Sequence, residues 1–216
     1  MTRNAIFDCD GVLVDTEGFQ LLGWRQVLKP LGISISKKEY LQYAGKHGRI
    51  IEKELAEKYG LNLEKERLLE KKQKLLIELF EEKPLEKMPF AEAALKLLEK
   101  NNFLLAVSSG SPEKELKMKL EKTGLKRFFP IILGGNSVKR GKPFPDIYIK
   151  TAEKMGVKPG DCVVFEDTQY GVESAKSAGA KCFAIPNQWS MKQDFSKADK
   201  KFKSLKEATK EIEKEL

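Results

Sequence analysis

The sequence lacks the features on which disulfide-rich, zinc-binding and membrane-spanning proteins depend. It contains only three cysteines among 216 residues, an odd number, which argues against a disulfide framework and against a zinc site. The cysteines lie in or beside apolar segments, so we expect reduced thiols in a cytoplasmic protein. No run of about 18 apolar residues is present and the first residues lack a signal-peptide layout, so neither a membrane span nor a secretory leader is expected.

Arginine-rich stripes and alternating basic and aromatic residues are also missing, although the formal net charge is +8. Lysines instead alternate with glutamates, which is typical of solvated helix faces. We therefore expect no nucleic-acid partner and no membrane partner. With 41% apolar and 33% charged residues, the composition is that of an ordinary globular protein with one large core, or with a core and a small second domain.

Strand and helix patterns alternate after residue 88, whereas the preceding stretch contains helical patterns only. The alternation predicts a parallel α/β sheet, closed by an amphipathic helix over residues 204–216. The helical stretch includes residues 64–82, where leucines recur at helical spacing and predict one long helix. We predict a Rossmann-like, doubly wound α/β core with an inserted all-helical cap domain. The predicted limits are 1–15 and 87–216 for the core, and 16–86 for the cap.

Acidic and hydroxyl residues follow three of the predicted strands at the point where each strand ends. In chain order these residues are Asp8 and Asp10, Ser108 and Ser109, and Glu166 and Asp167. Side chains alternate along an extended chain, so Asp8 and Asp10 point the same way and Cys9 points back. In an open α/β sheet the site lies beyond the carboxyl ends of the strands. Converging buried carboxylates need a positive charge, for which oxygen-bound Mg²⁺ is the obvious candidate.

Each of these signals also has a purely structural explanation. An Asp-x-Asp-Gly segment is often a turn, and serines before Pro112 can cap a helix. Glu166 and Asp167 can end a solvated strand, and Lys142 is one lysine among many. Their joint placement favours function, because phosphoryl transfer needs carboxylates for a metal, hydroxyls and amides for an anion, and a lysine to neutralise charge.

The same residues resemble the motifs of the haloacid-dehalogenase-like superfamily, in the branch of β-phosphoglucomutase and many small phosphatases. The resemblance spans nearly the whole chain and implies a Rossmann-like core with a helical cap inserted after the first strand. The matching motifs are Asp8-x-Asp10-Gly-Val-Leu-Val-Asp15-Thr16, a strand ending in Ser108, Gly141-Lys142-Pro143-x-Pro145-Asp146, and Val164-Phe165-Glu166-Asp167-Thr168-x-x-Gly171.

The resemblance implies a magnesium-dependent phosphatase that hydrolyses a small phosphate monoester, such as a sugar or polyol phosphate, through an aspartyl-phosphate. Asp8 is the implied nucleophile and Asp10 the implied general acid and base, while Lys142 offsets the charge on Asp8 and on the phosphoryl group. The implied phosphate-binding residues are Ser108, Ser109 and Lys142. The implied metal-binding residues are Asp8, Asp10 through its backbone carbonyl, Glu166 and Asp167.

One loop of the predicted cap is a candidate for substrate recognition. It contains Gly45, Lys46, His47 and Arg49. Two interpretations of this loop stay open. It is either a flexible basic loop that binds an anionic or hydroxylated leaving group, or an exposed turn between two helices. For His47 alone, a surface position is the simpler expectation.

Three further cap positions bear on the choice between phosphatase and mutase. Thr16 and Trp24 match the mutase pattern, whereas Gln20 stands where the mutases have histidine, and Arg49 is displaced by one position from the mutase arginine. We therefore expect a phosphatase, with a phosphosugar mutase as the alternative and a non-catalytic binding protein on the same fold as a remote third. The expected partner is a small phosphorylated metabolite and the expected state is a monomer.

Overall fold

The computed structural model describes residues 3–214, which contain eight β strands and ten α helices. The strands are β1 (Asn4–Phe7), β2 (Val14–Asp15), β3 (Glu86–Lys87), β4 (Leu104–Ser109), β5 (Ile131–Gly134), β6 (Val163–Glu166), β7 (Lys181–Ala184) and β8 (Lys200–Lys201). The helices are α1 (Glu17–Leu28), α2 (Lys37–Tyr40), α3 (Gly48–Tyr59), α4 (Leu63–Glu66), α5 (Leu68–Glu82), α6 (Ala91–Lys100), α7 (Glu113–Lys122), α8 (Asp146–Met155), α9 (Gln169–Ser177) and α10 (Leu205–Lys214).

Six of the strands form one parallel sheet in the order β5-β4-β1-β6-β7-β8. The chain proceeds outward from β1 through β4 to β5 and then crosses to β6 on the other side of β1. The strand order therefore reverses beside β1, which is where doubly wound sheets bind their ligands. This arrangement confirms the predicted α/β, Rossmann-like fold class.

Helices cover both faces of the sheet. Alternate residues of each strand point to opposite sides, so each strand contributes to two core clusters. Phe7 belongs to a core cluster with α6, α7 and α10, whereas Ile6 belongs to a second cluster with α8 and α9. Phe7 stacks on Phe165 of the neighbouring strand, with ring centroids 4.4 Å apart. The sheet is thus buried on both faces, and its strand ends are held in fixed positions.

Helices α1 to α5, residues 17–82, lie between β2 and β3, and we call them the helical insertion. Strands β2 and β3 pair antiparallel, so the chain leaves and re-enters the core at one place. The insertion has its own apolar cluster, in which Trp24, Leu28 and Leu55 are fully buried. The predicted cap limits, 16–86, enclose this segment and stay a prediction.

The predicted single helix over residues 64–82 is wrong, since α4 and α5 are separate helices. Arg67 lies between them with a left-handed backbone, at φ 46°. The amide of Leu69 donates a hydrogen bond of 2.8 Å to Glu52 of α3, which satisfies one of the free N–H groups at the start of α5. This contact between distant residues cannot be seen in a local pattern.

The two-residue strands β2, β3 and β8 were also missed, because so short a pairing has no periodicity of its own. The predicted closing helix corresponds to α10 (Leu205–Lys214), and positions 215 and 216 of its predicted range lie outside the described residues. None of the helices between residues 3 and 214 combines the length and apolarity that a bilayer crossing requires.

Candidate active site

The carboxyl ends of the neighbouring strands β1 and β6 bring three acidic residues together. Asp8 follows β1 directly, and its amide donates a hydrogen bond of 3.0 Å to the carbonyl of Phe165 in β6. Glu166 and Asp167 come next in the chain after Phe165. Asp8, Glu166 and Asp167 are buried, and one carboxylate oxygen from each lies within 4.8 Å of the others.

Lys142 and Tyr148 fix the position of Glu166. The Lys142 ammonium lies 2.5 Å from Asp8 Oδ1 and also bonds Glu166 Oε1, to which the Tyr148 hydroxyl donates as well. The other oxygen of Glu166 accepts hydrogen bonds from the Asp167 amide, at 3.1 Å, and the Thr168 hydroxyl, at 3.3 Å. Glu166 therefore has partners on both oxygens and ties Lys142 to the strand end.

The three carboxylates share too little positive charge within the described chain. Burial, together with the charges of Glu166 and Asp10, raises the pKa of Asp8 to about 8, although Lys142 acts to lower it. Burial and the neighbouring carboxylates Glu166 and Asp8 raise the pKa of Asp167 well above its usual value. Anionic oxygens at this spacing, short of one cationic partner, fit a magnesium ion, which prefers oxygen ligands.

Asn187 and Gly11 hold Asp167 in place. The Asn187 side-chain amide donates to Asp167 Oδ2 at 2.7 Å and to the carbonyl of Gly11 at 3.2 Å. Gly11 has a left-handed backbone, at φ 81°, and a Cβ atom there would overlap the Asp167 carboxylate. Only glycine lets the chain turn this closely past the acidic group. Asn187 was not among the predicted site residues, because it follows β7 without a recognisable motif.

Asp10 has partners quite different from those of Asp8. Its Oδ1 accepts from the Thr16 hydroxyl at 2.5 Å and the Lys119 ammonium at 2.6 Å, while the hydroxyls of Ser109 and Ser111 lie 2.9 and 3.1 Å from Oδ2. Burial alone would raise the pKa of Asp10, but the Lys119 charge and these hydrogen bonds lower it to about 2. Asp10 is therefore a carboxylate in this arrangement.

Lys119 is a functional-site residue that sequence reasoning missed. Its side chain is fully buried and pairs with Asp10 and, at 2.5 Å, with Glu115 of the same helix. Burial opposes its charge, but Asp10 and Glu115 raise its pKa, so the ammonium is retained. The Glu115 to Lys119 spacing equals that of the partly exposed pair Glu113 and Lys117 on the same helix, so the sequence contains no signal that distinguishes them.

The serines after β4 occupy different environments. The Ser108 hydroxyl is buried within 2.6 Å of the Thr151 hydroxyl and lies behind the cavity wall, whereas Ser109, Gly110 and Ser111 line the cavity. The amide of Ser111 is held by the Ser109 hydroxyl at 3.0 Å. The predicted phosphate-binding role of Ser108, Ser109 and Lys142 stays a prediction.

The helical insertion lies over the strand ends and forms one side of a cavity. Gly45 has φ 78° and approaches Thr168 so closely that a Cβ atom would overlap the threonine methyl group. Nearby, the Gln193 side chain donates to the carbonyl of Ala44 at 2.9 Å. We distinguish two ends of the cavity by the residues that line them. The core end is lined by Asp8, Asp10, Lys142 and Asp167, and the insertion end by Glu17, Gln20, Tyr40, Lys72 and Glu115.

The predicted basic loop supplies little free positive charge to the cavity. Lys46 lines the cavity, but both carboxylate oxygens of Glu54 lie 2.7 Å from its ammonium. His47 is half-buried against Gly141, and burial together with the Arg49 charge lowers its pKa. Arg49 itself is exposed and does not belong to the cavity wall.

The other three predicted cap residues fall in three different places. Thr16 is buried and bonds Asp10, while Gln20 lines the cavity and accepts a hydrogen bond from Lys72. Trp24 lies in the apolar cluster of the insertion, away from the cavity wall, and its indole N–H has no hydrogen-bond partner among residues 3–214.

The sheet order defines a doubly wound, Rossmann-like α/β protein with acidic residues at the strand ends beside its switch point. The chain belongs to the haloacid dehalogenase-like hydrolase family, whose sequence model matches residues 5–185. The resemblance seen in the motifs is thereby confirmed.

Named relatives include both phosphatases and mutases. The chain is 34% identical to a phosphorylated carbohydrates phosphatase of Thermotoga maritima, over 81% of this chain and 80% of the relative. It is 33% identical to a probable pseudouridine-5'-phosphatase of Drosophila melanogaster, over 85% and 81% of the two chains. The crystal structure of a putative beta-phosphoglucomutase from Thermotoga maritima superposes with a TM-score of 0.75 at 27% identity, covering 99% of this chain and 100% of that one.

Proposed function

We propose that the protein is a magnesium-dependent phosphatase acting on a small phosphate monoester, a sugar or polyol phosphate. The observation that carries the proposal is the placement of Asp8 in a cavity, next to Lys142 and beside the carboxylates of Glu166 and Asp167. The relatives, which include a phosphorylated carbohydrates phosphatase, support this substrate class.

Asp8 is the proposed nucleophile. Lys142 occupies its Oδ1, while Oδ2 has no hydrogen bond within residues 3–214 and is the oxygen available to attack phosphorus. Attack forms an aspartyl-phosphate, which water then hydrolyses. A magnesium ion held by Asp8, Asp167 and the Asp10 carbonyl, with Glu166 close by, would orient the phosphoryl group and neutralise its charge.

Asp10 is the proposed general acid and base. As the carboxylate seen here it is in the form that accepts a proton from the attacking water. To protonate the leaving oxygen, its carboxyl group must first take up a proton and move away from the Lys119 ammonium. The Thr16 hydroxyl, at the entrance to the helical insertion, holds Asp10 directly, so movement of the insertion would be felt at this carboxylate.

The helical insertion is the proposed cap, which excludes water and selects the substrate. Its residues Ala44, Gly45 and His47 contact core residues of the same chain beside the cavity. A single chain thus supplies both ends of the cavity, so we propose that the protein works as a monomer.

Hydrolysis of p-nitrophenyl phosphate tests the proposed function. We expect phosphate release that needs added magnesium and stops with a chelator. The same assay is run with a panel of sugar and polyol phosphates. If magnesium supports hydrolysis of none of these compounds, the proposed phosphatase activity is refuted.

A phosphosugar mutase is the second candidate, favoured by the likeness along the whole chain to a structure named as a putative beta-phosphoglucomutase. The two activities differ in product from β-glucose 1-phosphate, since a phosphatase releases inorganic phosphate and a mutase forms glucose 6-phosphate. We expect free phosphate, because Gln20 stands at the position of the mutase histidine.

A further inference from the structure

The insertion end of the cavity holds buried polar side chains that the proposed chemistry does not use. Glu17 and Gln20 come from α1, Lys72 from α5 and Glu115 from α7, so the group spans the insertion and the core. Glu17, Lys72 and Glu115 are only 7%, 5% and 3% exposed. Burying a charged side chain costs free energy unless a hydrogen-bond or ion-pair partner offsets the loss of water. The partners of these side chains therefore need to be identified.

Much of the hydrogen-bonding capacity of Glu17 and Lys72 is unused. The Lys72 ammonium, with three N–H donors, makes one hydrogen bond, to Gln20 Oε1. Glu17 Oε2 accepts a hydrogen bond of 2.9 Å from the Tyr40 hydroxyl, and Oε1 accepts none. Between residues 3 and 214 no other hydrogen bond engages these two groups. Donors on Lys72 and an acceptor on Glu17 are therefore left for a molecule in the cavity.

Charge decides what kind of molecule suits this end. Glu17 and Glu115 face Lys72, whose ammonium lies 4.9 Å from the centre of the Trp24 ring. Glu115 also pairs with Lys119, but Asp10 shares that ammonium, so three carboxylates face two cations. Lys46, the other lysine on the insertion side of the wall, is paired with Glu54. A second phosphate or a carboxylate on the substrate would meet this excess negative charge, and desolvation would make the repulsion strong.

A hydroxyl group suits the same place, because it donates to a carboxylate and accepts from an ammonium. Burial raises the pKa of Glu17 to about 7, against the effects of Tyr40 and Lys72, and burial lowers the pKa of Lys72 to about 8. Both charges are thus undercompensated by the protein alone. A bound hydroxyl would supply the missing partner to each.

We propose that Glu17, Gln20 and Lys72 form a subsite that binds a hydroxyl group of the leaving group and rejects a second anionic group. The inference rests on the proposed function, because the leaving group must extend from Asp8 into the rest of the cavity. It narrows the substrate class to monophosphates of neutral sugars or polyols, as opposed to bisphosphates and phosphorylated acids.

The test compares Glu17→Gln with Glu57→Gln, a matched change at an exposed position of α3 whose nearest ion pair is with Lys53. Four substrates are used at pH 8, where Glu17 is ionised, namely p-nitrophenyl phosphate, hexyl phosphate, sorbitol 6-phosphate and fructose 1,6-bisphosphate. Hexyl and sorbitol phosphates match in chain length and differ in hydroxyl groups.

The wild-type protein is expected to prefer sorbitol 6-phosphate to both hexyl phosphate and the bisphosphate. In Glu17→Gln the preference for sorbitol over hexyl phosphate should fall roughly tenfold, mainly through KM, because a charged hydrogen-bond acceptor is lost. The ratio of bisphosphate to sorbitol phosphate hydrolysis should rise in the same variant. Glu57→Gln should keep the wild-type ratios.

Unchanged ratios in Glu17→Gln, or an equal loss on all four substrates, would overturn the subsite. A wild-type protein that hydrolyses p-nitrophenyl phosphate without any preference among the others would refute the subsite alone. If the wild-type protein hydrolyses none of the four compounds, the proposed function fails and the subsite falls with it.

Discussion

The two ends of the cavity differ in what would complete their charged groups. At the core end, Asp10 has partners on both oxygens and Lys142 bonds two carboxylates, and the positive charge that Asp8 and Asp167 still lack fits a metal ion. At the insertion end, Glu17 and Lys72 each make one hydrogen bond between side chains. Groups held by the protein keep their geometry before a substrate arrives, which is what catalysis requires. Groups with unused hydrogen-bonding capacity can bind a substrate that supplies the missing partners, and this lets a site distinguish one substrate from another.

The largest effect should come from the core end. Asp8→Asn removes the proposed nucleophile without changing its size, so we expect no turnover above background on any phosphate monoester. Steady-state phosphate release measures this, with Asp161→Asn, an exposed change, as the control. Turnover near the wild-type level in Asp8→Asn would mean that another residue is the nucleophile.

Lys119→Met tests how firmly the core end depends on its buried cation. The change leaves Asp10 and Glu115 buried without their partner, which should lower the free energy of unfolding by about 3–5 kcal/mol. Lys117→Met, in the partly exposed pair with Glu113 on the same helix, should cost at most about 1 kcal/mol. Chemical denaturation measures the free energy of unfolding of both variants. Equal losses would mean that the buried ion pairs of Lys119 stabilise the protein no more than the pair of Lys117 does.

At the insertion end, removing a charge should stabilise the protein. Glu17 has a folded pKa of about 7 and an ordinary value of 4.5, so the folded state binds its proton more tightly. That contribution to stability is present below pH 4.5 and is lost as the pH rises through about 7. At pH 8 Glu17→Gln should therefore exceed the wild type in free energy of unfolding, by up to about 3 kcal/mol.

Denaturation of both proteins at pH 4.5 and at pH 8 measures this prediction. The difference between variant and wild type should be small at the lower pH and large at the higher one. A difference independent of pH would show that the Glu17 carboxylate is compensated by the protein, and the contrast between the two ends would disappear.

The smallest effect is expected at Arg49, which the sequence places in a candidate recognition loop and the structure places on the exposed surface. Arg49→Ala should change kcat/KM for a sugar phosphate by no more than about twofold, as for other surface changes. Gly45→Ala in the same loop should raise KM clearly, because the new methyl group overlaps Thr168. A larger effect of Arg49→Ala would mean that this loop binds the substrate's charge.

The strand ends could be predicted from the sequence, whereas of the insertion end only Gln20 could. Asp8, Glu166 and Asp167 each follow an apolar strand, and the topology of a parallel sheet is enough to bring such residues together. Lys119 could not be found in this way, because its burial is set by the packing of α7 and not by its spacing from Glu115. The same holds for the start of α5, which depends on Glu52 from another helix.

Single turnover of Asp10→Asn with p-nitrophenyl phosphate tests the central claim, that Asp8 attacks and Asp10 moves the proton. The p-nitrophenolate leaves without a proton, so phosphorylation proceeds while hydrolysis lacks its base, and steady-state turnover should fall roughly 10²–10⁴-fold. We expect a burst of about one equivalent of p-nitrophenolate, and a phosphoryl group on the peptide containing Asp8 by mass spectrometry. No burst, or a phosphoryl group on any other residue, would contradict the account.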